Sequence, residues 1–247
     1  MPSHHVFLVL GSNINPVENF RACLKLLQEN FDIWNLSPVY ETPPVGFTEQ
    51  APFLNAAVEV ITELDPASVK TILQSIENQL GRVRDPNNKN APRTIDLDIA
   101  LWDKAVFTYG EKNWQVPDPD ILRFIHLARP LADLAPDYVY PDSTDTLAKI
   151  AEKLPIHGIT RRDDVWADLP FLLRISVDFN ALSLDGKMVR INTDIHQYLL
   201  NILHPGLRVI LYASHDLEVE AMIHCEQDSQ GQDWWYGIPD WDTMHDL

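Results

Sequence analysis

The chain has 247 residues, 45% of them hydrophobic, which allows one large domain or a medium domain with a small one. Its 19 basic and 36 acidic residues leave a formal charge of −17, which disfavours duplex nucleic acid and anionic membrane as partners and requires any phosphate site to be a local positive island. No apolar run nears the ~20 residues of a membrane span, the N-terminus shows no signal-peptide pattern, and Cys23 and Cys225 form no CxxC pair; together these features favour the cytosol.

Residues 6–11, VFLVLG, read as a buried strand. Asn15, Pro16 and Glu18 then form a capping-box pattern, with Asn15 as N-cap, before a helix striped by Phe20, Cys23, Leu24, Leu27 and Phe31. Segments 33–40 and 53–62 read as strands joined by the Pro/Gly-rich loop TPPVGFTEQAP. A second helix starts at Asp65-Pro66, carries Val69, Ile72, Leu73, Ile76 and Leu80 on its apolar stripe, and stops at Gly81. A polar loop over 82–93 leads into a further strand. The order strand, helix, strand, strand, helix, strand (βαββαβ) predicts an α+β, ferredoxin-like sandwich with an antiparallel sheet. Further helices are expected from Ile125 to Asp133 and over 144–153, with a linker over 155–164.

The strand after the polar loop raises the chemical question. In NAPRTIDLDIALW, strand alternation puts Ile95, Leu97, Ile99 and Leu101 on one face and Asp96 with Asp98 on the other, roughly 7 Å apart. Such a pair must be solvated, paired with bases, or chelating a metal. The preceding loop holds Arg82, Arg84, Lys89 and Arg93 against Asp85 alone. A charge run of this kind is ordinarily a solvated loop. Beside two same-face carboxylates it also describes phosphoryl-type transfer, with guanidinium groups on phosphate oxygens and Mg²⁺ between carboxylates and nucleotide.

A second candidate lies at Phe53 and Asn55, which share a strand face behind a stiff proline loop. A ring for stacking and an amide with both donor and acceptor suit a flat polar heterocycle. On spacing alone the plainer reading is favoured, with Phe53 in the core and Asn55 facing a turn. Gln74 and Glu77 lie off the apolar stripe and read as solvent-facing.

Taken together, these stretches resemble the 6-hydroxymethyl-7,8-dihydropterin pyrophosphokinase family. The resemblance rests on Gly11-Ser12-Asn13, Ser37 to Gly46, Gln50, Phe53-Leu54-Asn55, Glu77, Leu80 to Arg84, and Ala91 to Asp98, in order over residues 6–154. It implies transfer of the diphosphate of ATP to the pterin hydroxymethyl group, with ATP as co-substrate and two Mg²⁺ ions held by Asp96 and Asp98. It further implies that Arg82 and Arg93 contact phosphates and stabilise charge in transfer, with Arg84 assisting from the loop. Thr42, Pro44, Val45, Phe53 and Asn55 would hold the pterin; Gln74, Glu77 and Ile99 would line the nucleotide side. Three positions depart from the family pattern: Asp118 stands where a histidine is frequent; at Arg123 to His126, where an arginine, one residue and a stacking phenylalanine are usual, either the segment is shifted by one residue or Phe124 and His126 occupy the two positions and His126 replaces the stacking ring; and Asn90-Ala91 replaces a tryptophan before the proline. The alternative is a weakened or inactive nucleotide- or pterin-binding module that acts through its C-terminal domain.

Residues 165–247 change in character. Short strand-like runs are separated by Gly, Asp, Ser and Pro, with helix signal only near 194–203. This predicts a small mostly-β domain, a barrel or an open sheet. Residues 155–247 are too few for a TIM barrel of ~250 residues, and they show no second catalytic motif. Trp234, Trp235, Tyr236 and Trp241 read first as core and second as a binding face, which leaves a protein partner as the expectation for this domain beside the small-molecule substrates of the first.

Overall fold

Strand β1 (His4–Ser12) is the centre of the first sheet, because its side chains are buried on both faces. In this computed structural model the described residues are 3–86, 88, 90–141, 143–156, 158–166, 173–183, 185–193, 203–213 and 217–246. β1 pairs antiparallel with β4 (Phe53–Thr62) on one side and with β5 (Asp96–Trp102) on the other. β2 (Asp32–Leu36) and β3 (Tyr40–Thr42) both pair antiparallel with β4, giving the path β5-β1-β4-β3. The chain is therefore a mixed α/β protein with an antiparallel sheet.

The two faces of β1 bury different partners. Val6, Leu8 and Leu10, with Val58 and Val60 of β4, lie on the sheet face covered by helix α1 (Pro16–Gln28), beside which α2 (Pro66–Gln79) packs on β5. Phe7 and Ala57 instead join Leu131 of α3 (Ile125–Leu134) and Ile150 of α4 (Leu147–Lys153). The α1 stripe is buried throughout, Cys23 included. Burial pushes the Cys23 thiol far above its usual range, so it acts as a small core residue.

Local chemistry departs from the sequence expectations at four places. Asn15 does not cap α1 through its side chain: its backbone is left-handed (φ 42°), whereas a capping side chain needs extended backbone at that position. The strand expected over 33–40 is broken into β2 and β3 at Ser37-Pro38. There the Ser37 hydroxyl accepts the Ala57 N–H at 2.8 Å, replacing a ladder bond. Leu101 does not share the face of Ile95, Leu97 and Ile99. A register shift pairs Leu8 with Ile99 but Phe7 with Leu101, leaving Ala100 as the extra residue of a bulge, and Leu101 joins the α3 side. The hairpin of β6 (Phe107–Tyr109) and β7 (Trp114–Val116) was not anticipated.

Segment 155–164, expected as a linker, supplies β8 (Thr160–Arg161), which pairs with β3. The contact division falls between Trp166 and Ala167. Trp166 is 2% exposed, packs on the Phe20 ring, and donates its indole N–H to the Ser37 carbonyl at 3.0 Å.

The second unit, Ala167–Leu247, has a sheet ordered β10-β13-β12-β11-β9. These strands are β9 (Leu173–Ser176), β10 (Val189–Arg190), β11 (Arg208–Ala213), β12 (Leu217–Gln227) and β13 (Asp233–Pro239). A short β14 (His245–Asp246) adds to β12. β9 and β11 run parallel and the other pairs antiparallel, so this is a mixed open sheet with Ile175, Val209, Leu211, Val219 and Ile223 buried. Trp234, Trp235 and Tyr236 are half-buried and Trp241 exposed, so the aromatic cluster is not the core expected of it. The helix expected over 194–203 lies, but for Leu203, outside the described residues. Among the described residues no helix is long and apolar enough to cross a membrane.

Trp166→Ala should destabilise the first unit by about 3–5 kcal/mol, the range for truncating a buried large aromatic. Urea denaturation checks this; an unchanged midpoint would mean that residues 158–166 do not belong to the folded unit.

Candidate active site

The polar ends of β1, β3, β4 and β5 converge where Gly11, Thr42, Asn55 and Asp96 meet, and a cavity of about 410 Å³ opens there. Asn55 is 5% exposed and donates its amide to the Thr42 hydroxyl at 2.9 Å. Gly11 lines the same wall, where a Cβ would meet the Asn55 side-chain oxygen in ordinary van der Waals contact at 3.5 Å. Phe53 lines the same wall, with the Arg93 guanidinium 5.6 Å from its ring centre.

Asn13 fixes the arginine. Its side-chain oxygen accepts the Arg93 N–H at 2.8 Å, its own N–H donates to the Arg93 carbonyl at 3.0 Å, and its amide donates to Gln50 at 2.9 Å. Asn13, directly after β1, thus ties the 42–52 loop to the arginine loop. On the other side, α2 ends in a Schellman arrangement. Gly81 has φ +73° and donates to Asn78, while Arg82 N–H donates back to the Glu77 carbonyl at 2.9 Å. That turn delivers Arg82 to Asp96 directly after the helix.

Asp96 and Asp98 share a face as expected, and both line the cavity. Asp96 is bonded by Arg93 and, at 3.5 Å, by Arg82. Burial pushes its carboxyl up, but the Arg93 and Arg82 charges outweigh that and hold it below the usual carboxylate range. Arg82 is itself nearly buried, which lowers its own pKa, and its Nε has no hydrogen-bond partner among the described residues. Asp98 accepts from the Lys70 ammonium at 2.6 Å.

Not every expected residue reaches the cavity. Thr42, Val45, Phe53, Asn55, Arg93, Asp96 and Asp98 line it; Pro43 does so in place of Pro44. Arg82 contacts it only through Asp96. Arg84 is held by Glu77 at 2.5 Å. Glu77, read as solvent-facing, is fully buried and accepts the Leu97 N–H at 3.0 Å; burial raises its carboxyl pKa against the opposing bonds from Arg84 and Leu97. Ile99 is 3% exposed in the core and Gln74 is half-buried, neither lining the cavity. The basic loop is therefore not a free positive island. Its three described arginines nearest the site are engaged by Asp96 and Glu77.

The opposite wall comes from the segment that departs from the family pattern. Asp118, Arg123, Phe124 and His126 all line the cavity. The Ala100 bulge anchors them, since its carbonyl accepts the Asp118 N–H at 2.9 Å. The Phe124 and His126 rings stack at 5.3 Å, and burial lowers the His126 pKa to about 4, so the imidazole is neutral near pH 7. Asp120 and Lys70 were missed in the sequence. Lys70 lies seven residues before Glu77, two helical turns on one face, a weak signal without knowledge of its partner strand.

The cavity lining carries Asp96, Asp98, Asp118 and Asp120 against Arg93 and Arg123. An anionic phosphate tail is repelled by such a lining unless divalent cations accompany it. The available donors are carboxylate oxygens, which suit Mg²⁺ held by one or two carboxylates plus substrate phosphates. Among the described residues no group of three or more His, Cys, Asp and Glu is arranged to hold a metal by itself.

Comparison with known proteins bears on this geometry. Residues 7–136 match the family model described as 7,8-dihydro-6-hydroxymethylpterin-pyrophosphokinase. The chain is 37% identical over 131 residues to a 2-amino-4-hydroxy-6-hydroxymethyldihydropteridine pyrophosphokinase of Bacillus subtilis, covering 52% of this chain and 76% of that one. It is 35% identical over 164 residues to the like-named protein of Pseudomonas aeruginosa, covering 63% and 95%. The folic acid synthesis protein fol1 of Schizosaccharomyces pombe is 33% identical over 62% of this chain, but the match spans only 21% of that longer protein. In fold, the chain is similar to the Plasmodium falciparum HPPK-DHPS crystal structure with pteroate, at TM-score 0.51 and 13% identity, covering 72% of this chain and 50% of that one.

Burial, with the charges of Asp98 and Asp120, pushes the Asp118 carboxyl up to about 6, against about 3.9 in an unfolded chain. The folded state therefore holds this proton more tightly, which favours folding at low pH, and the benefit is lost as pH rises through about 6. Asp118→Asn, which cannot titrate, should raise the melting temperature relative to wild type more at about pH 7.5 than at about pH 4.5. Equal shifts at both pH values would contradict this environment.

Proposed function

The chain belongs to the 7,8-dihydro-6-hydroxymethylpterin-pyrophosphokinase family, and on that premise we propose that it transfers the diphosphate of ATP to the hydroxymethyl group of 6-hydroxymethyl-7,8-dihydropterin, forming the pterin diphosphate and AMP in folate synthesis. The observation that carries this reading is the meeting in one cavity of a heterocycle wall, Thr42, Phe53 and Asn55, with the carboxylates Asp96 and Asp98 and the guanidinium of Arg93.

In this reading the Asn55–Thr42 pair offers the pterin edge a fixed amide oxygen, Pro43 and the backbone of Val45 close over it, and Phe53 covers one ring face. His126 and Phe124 take the place of the family's stacking ring on the other wall; a neutral imidazole stacks without adding charge. Arg93 and Arg82 stabilise the charge that develops on the phosphate oxygens, and Arg84 joins them once released from Glu77. Asp96 and Asp98 would hold Mg²⁺, which when bound would neutralise the triphosphate and lower the pKa of an oxygen it contacts. Glu77 serves as a brace for β5 rather than as a nucleotide contact.

The strand path β5-β1-β4-β3, with a helix after β1 and another after β4, supports a ferredoxin-like description of the sheet. The first domain ends after Trp166 in this reading, on the strength of its burial and the β8 pairing. Residues 167–247 form an accessory β unit whose partner is a protein. Met222 and Ile238, cross-strand neighbours exposed side by side, support that role.

Incubation with ATP, Mg²⁺ and the pterin alcohol should yield AMP. Asp96→Ala should reduce that yield by about 10²–10³-fold, the scale of losing one electrostatic stabiliser, while leaving circular dichroism unchanged. ATP consumption at the same rate without pterin would point to a nucleotide hydrolase instead.

A further inference from the structure

Lys70 is a charged residue in the buried stripe of α2, 5% exposed, among Val69, Leu73 and Ile76. An ammonium in that position needs partners to stay charged. It has three: the Leu97 carbonyl at 2.8 Å, the Asp98 carboxylate at 2.6 Å, and the face of the Trp114 ring at 5.5 Å. Its charge also favours ionisation of Asp118. Only one Asp98 oxygen, Oδ1, takes the lysine; no described residue bonds Oδ2, and the side chain is 44% exposed towards the cavity it lines. Asp96 is compensated in the same way by Arg93 and Arg82. Each carboxylate that faces the cavity from β5 thus already carries a fixed counter-ion.

Resting on the functional reading above, we propose that Lys70 is a positioning residue that acts as the built-in counter-ion of Asp98. It holds Oδ1 and leaves Oδ2 for a divalent cation. A fixed positive charge a few ångströms from that cation weakens its binding to the free protein. The cation therefore enters with the nucleotide, whose phosphates supply the missing negative charge, rather than occupying the empty site beforehand.

The probe is Mn²⁺ alone, titrated against the full chain without nucleotide and read by electron paramagnetic resonance. Lys70→Gln keeps a donor for the Leu97 carbonyl but removes the charge, and should bind Mn²⁺ about tenfold more tightly than wild type. Lys70→Arg, which restores the charge, should stay within about twofold of wild type. A purely structural lysine would lower the melting temperature of Lys70→Gln and leave its Mn²⁺ affinity unchanged, which would overturn the proposal. Should Lys70→Gln fail to fold, a crystal structure of the wild type with Mn²⁺ and a non-hydrolysable ATP analogue decides. Lys70 remaining on Asp98 Oδ1 with the cation on Oδ2 supports the proposal; Lys70 released from Asp98 overturns it. Mn²⁺ affinity indifferent to Asp98→Asn would remove the metal reading itself, whereas a response to Asp98→Asn with none to Lys70→Gln would remove only the role of Lys70.

Discussion

The site depends on how the outer edge of β5 is satisfied. β5 ends the sheet path, so among the described residues the Leu97 N–H and C=O on its outer side have no neighbouring strand. Glu77 accepts the N–H at 3.0 Å and Lys70 donates to the carbonyl at 2.8 Å. The two residues lie seven apart on α2, so one helix face supplies both partners. Leaving either backbone group buried and unmet would cost about 1–3 kcal/mol. With Leu97 pinned and its side chain in the core, the pleat turns its neighbours Asp96 and Asp98 to the cavity.

The same helix sets the charge pattern. Its C-terminal turn places Arg82 on Asp96, its buried Glu77 holds Arg84, and its buried Lys70 holds Asp98. The ion pairs of Asp96, Asp98 and Arg84 are thus preorganised by α2 and by the two Asn13–Arg93 hydrogen bonds. On the proposed function, a cavity richer in carboxylates than in arginines would select for phosphates that arrive with cations. A bare anion would be repelled, and a free cation meets carboxylates already engaged.

Much of this was legible in the sequence where the signal is local. Alternation in 95–99 gave the two-faced strand, Asp65-Pro66 and Gly81 bounded α2, and the α1 stripe is buried as spaced. What was not legible depends on distant partners. Glu77 looks solvent-facing until the Leu97 N–H is found beside it, and Lys70 looks like an interruption of an apolar stripe until β5 supplies its acceptors. The Ala100 bulge moved Leu101 to the opposite face, and no single-residue preference marks a bulge formed by alanine. Ser37 reads as a strand residue, and its break from the ladder is not legible because it depends on the distant Ala57 N–H that its hydroxyl accepts. Asn15 fits a capping pattern in composition, but its left-handed backbone directs the side chain elsewhere. At the site, Phe53 and Asn55 were favoured as core and turn residues by spacing; resemblance alone pointed to the cavity that they line.

The most direct measurement is a crystal structure with Mg²⁺, a non-hydrolysable ATP analogue and the pterin alcohol. The account predicts cation density bridging Asp96, Asp98 and the phosphates, the pterin between Phe53 and His126 with its edge on Asn55, and Leu97 still bonded by Glu77 and Lys70. A triphosphate bound elsewhere, with both aspartates retaining only their arginine and lysine partners, would contradict it.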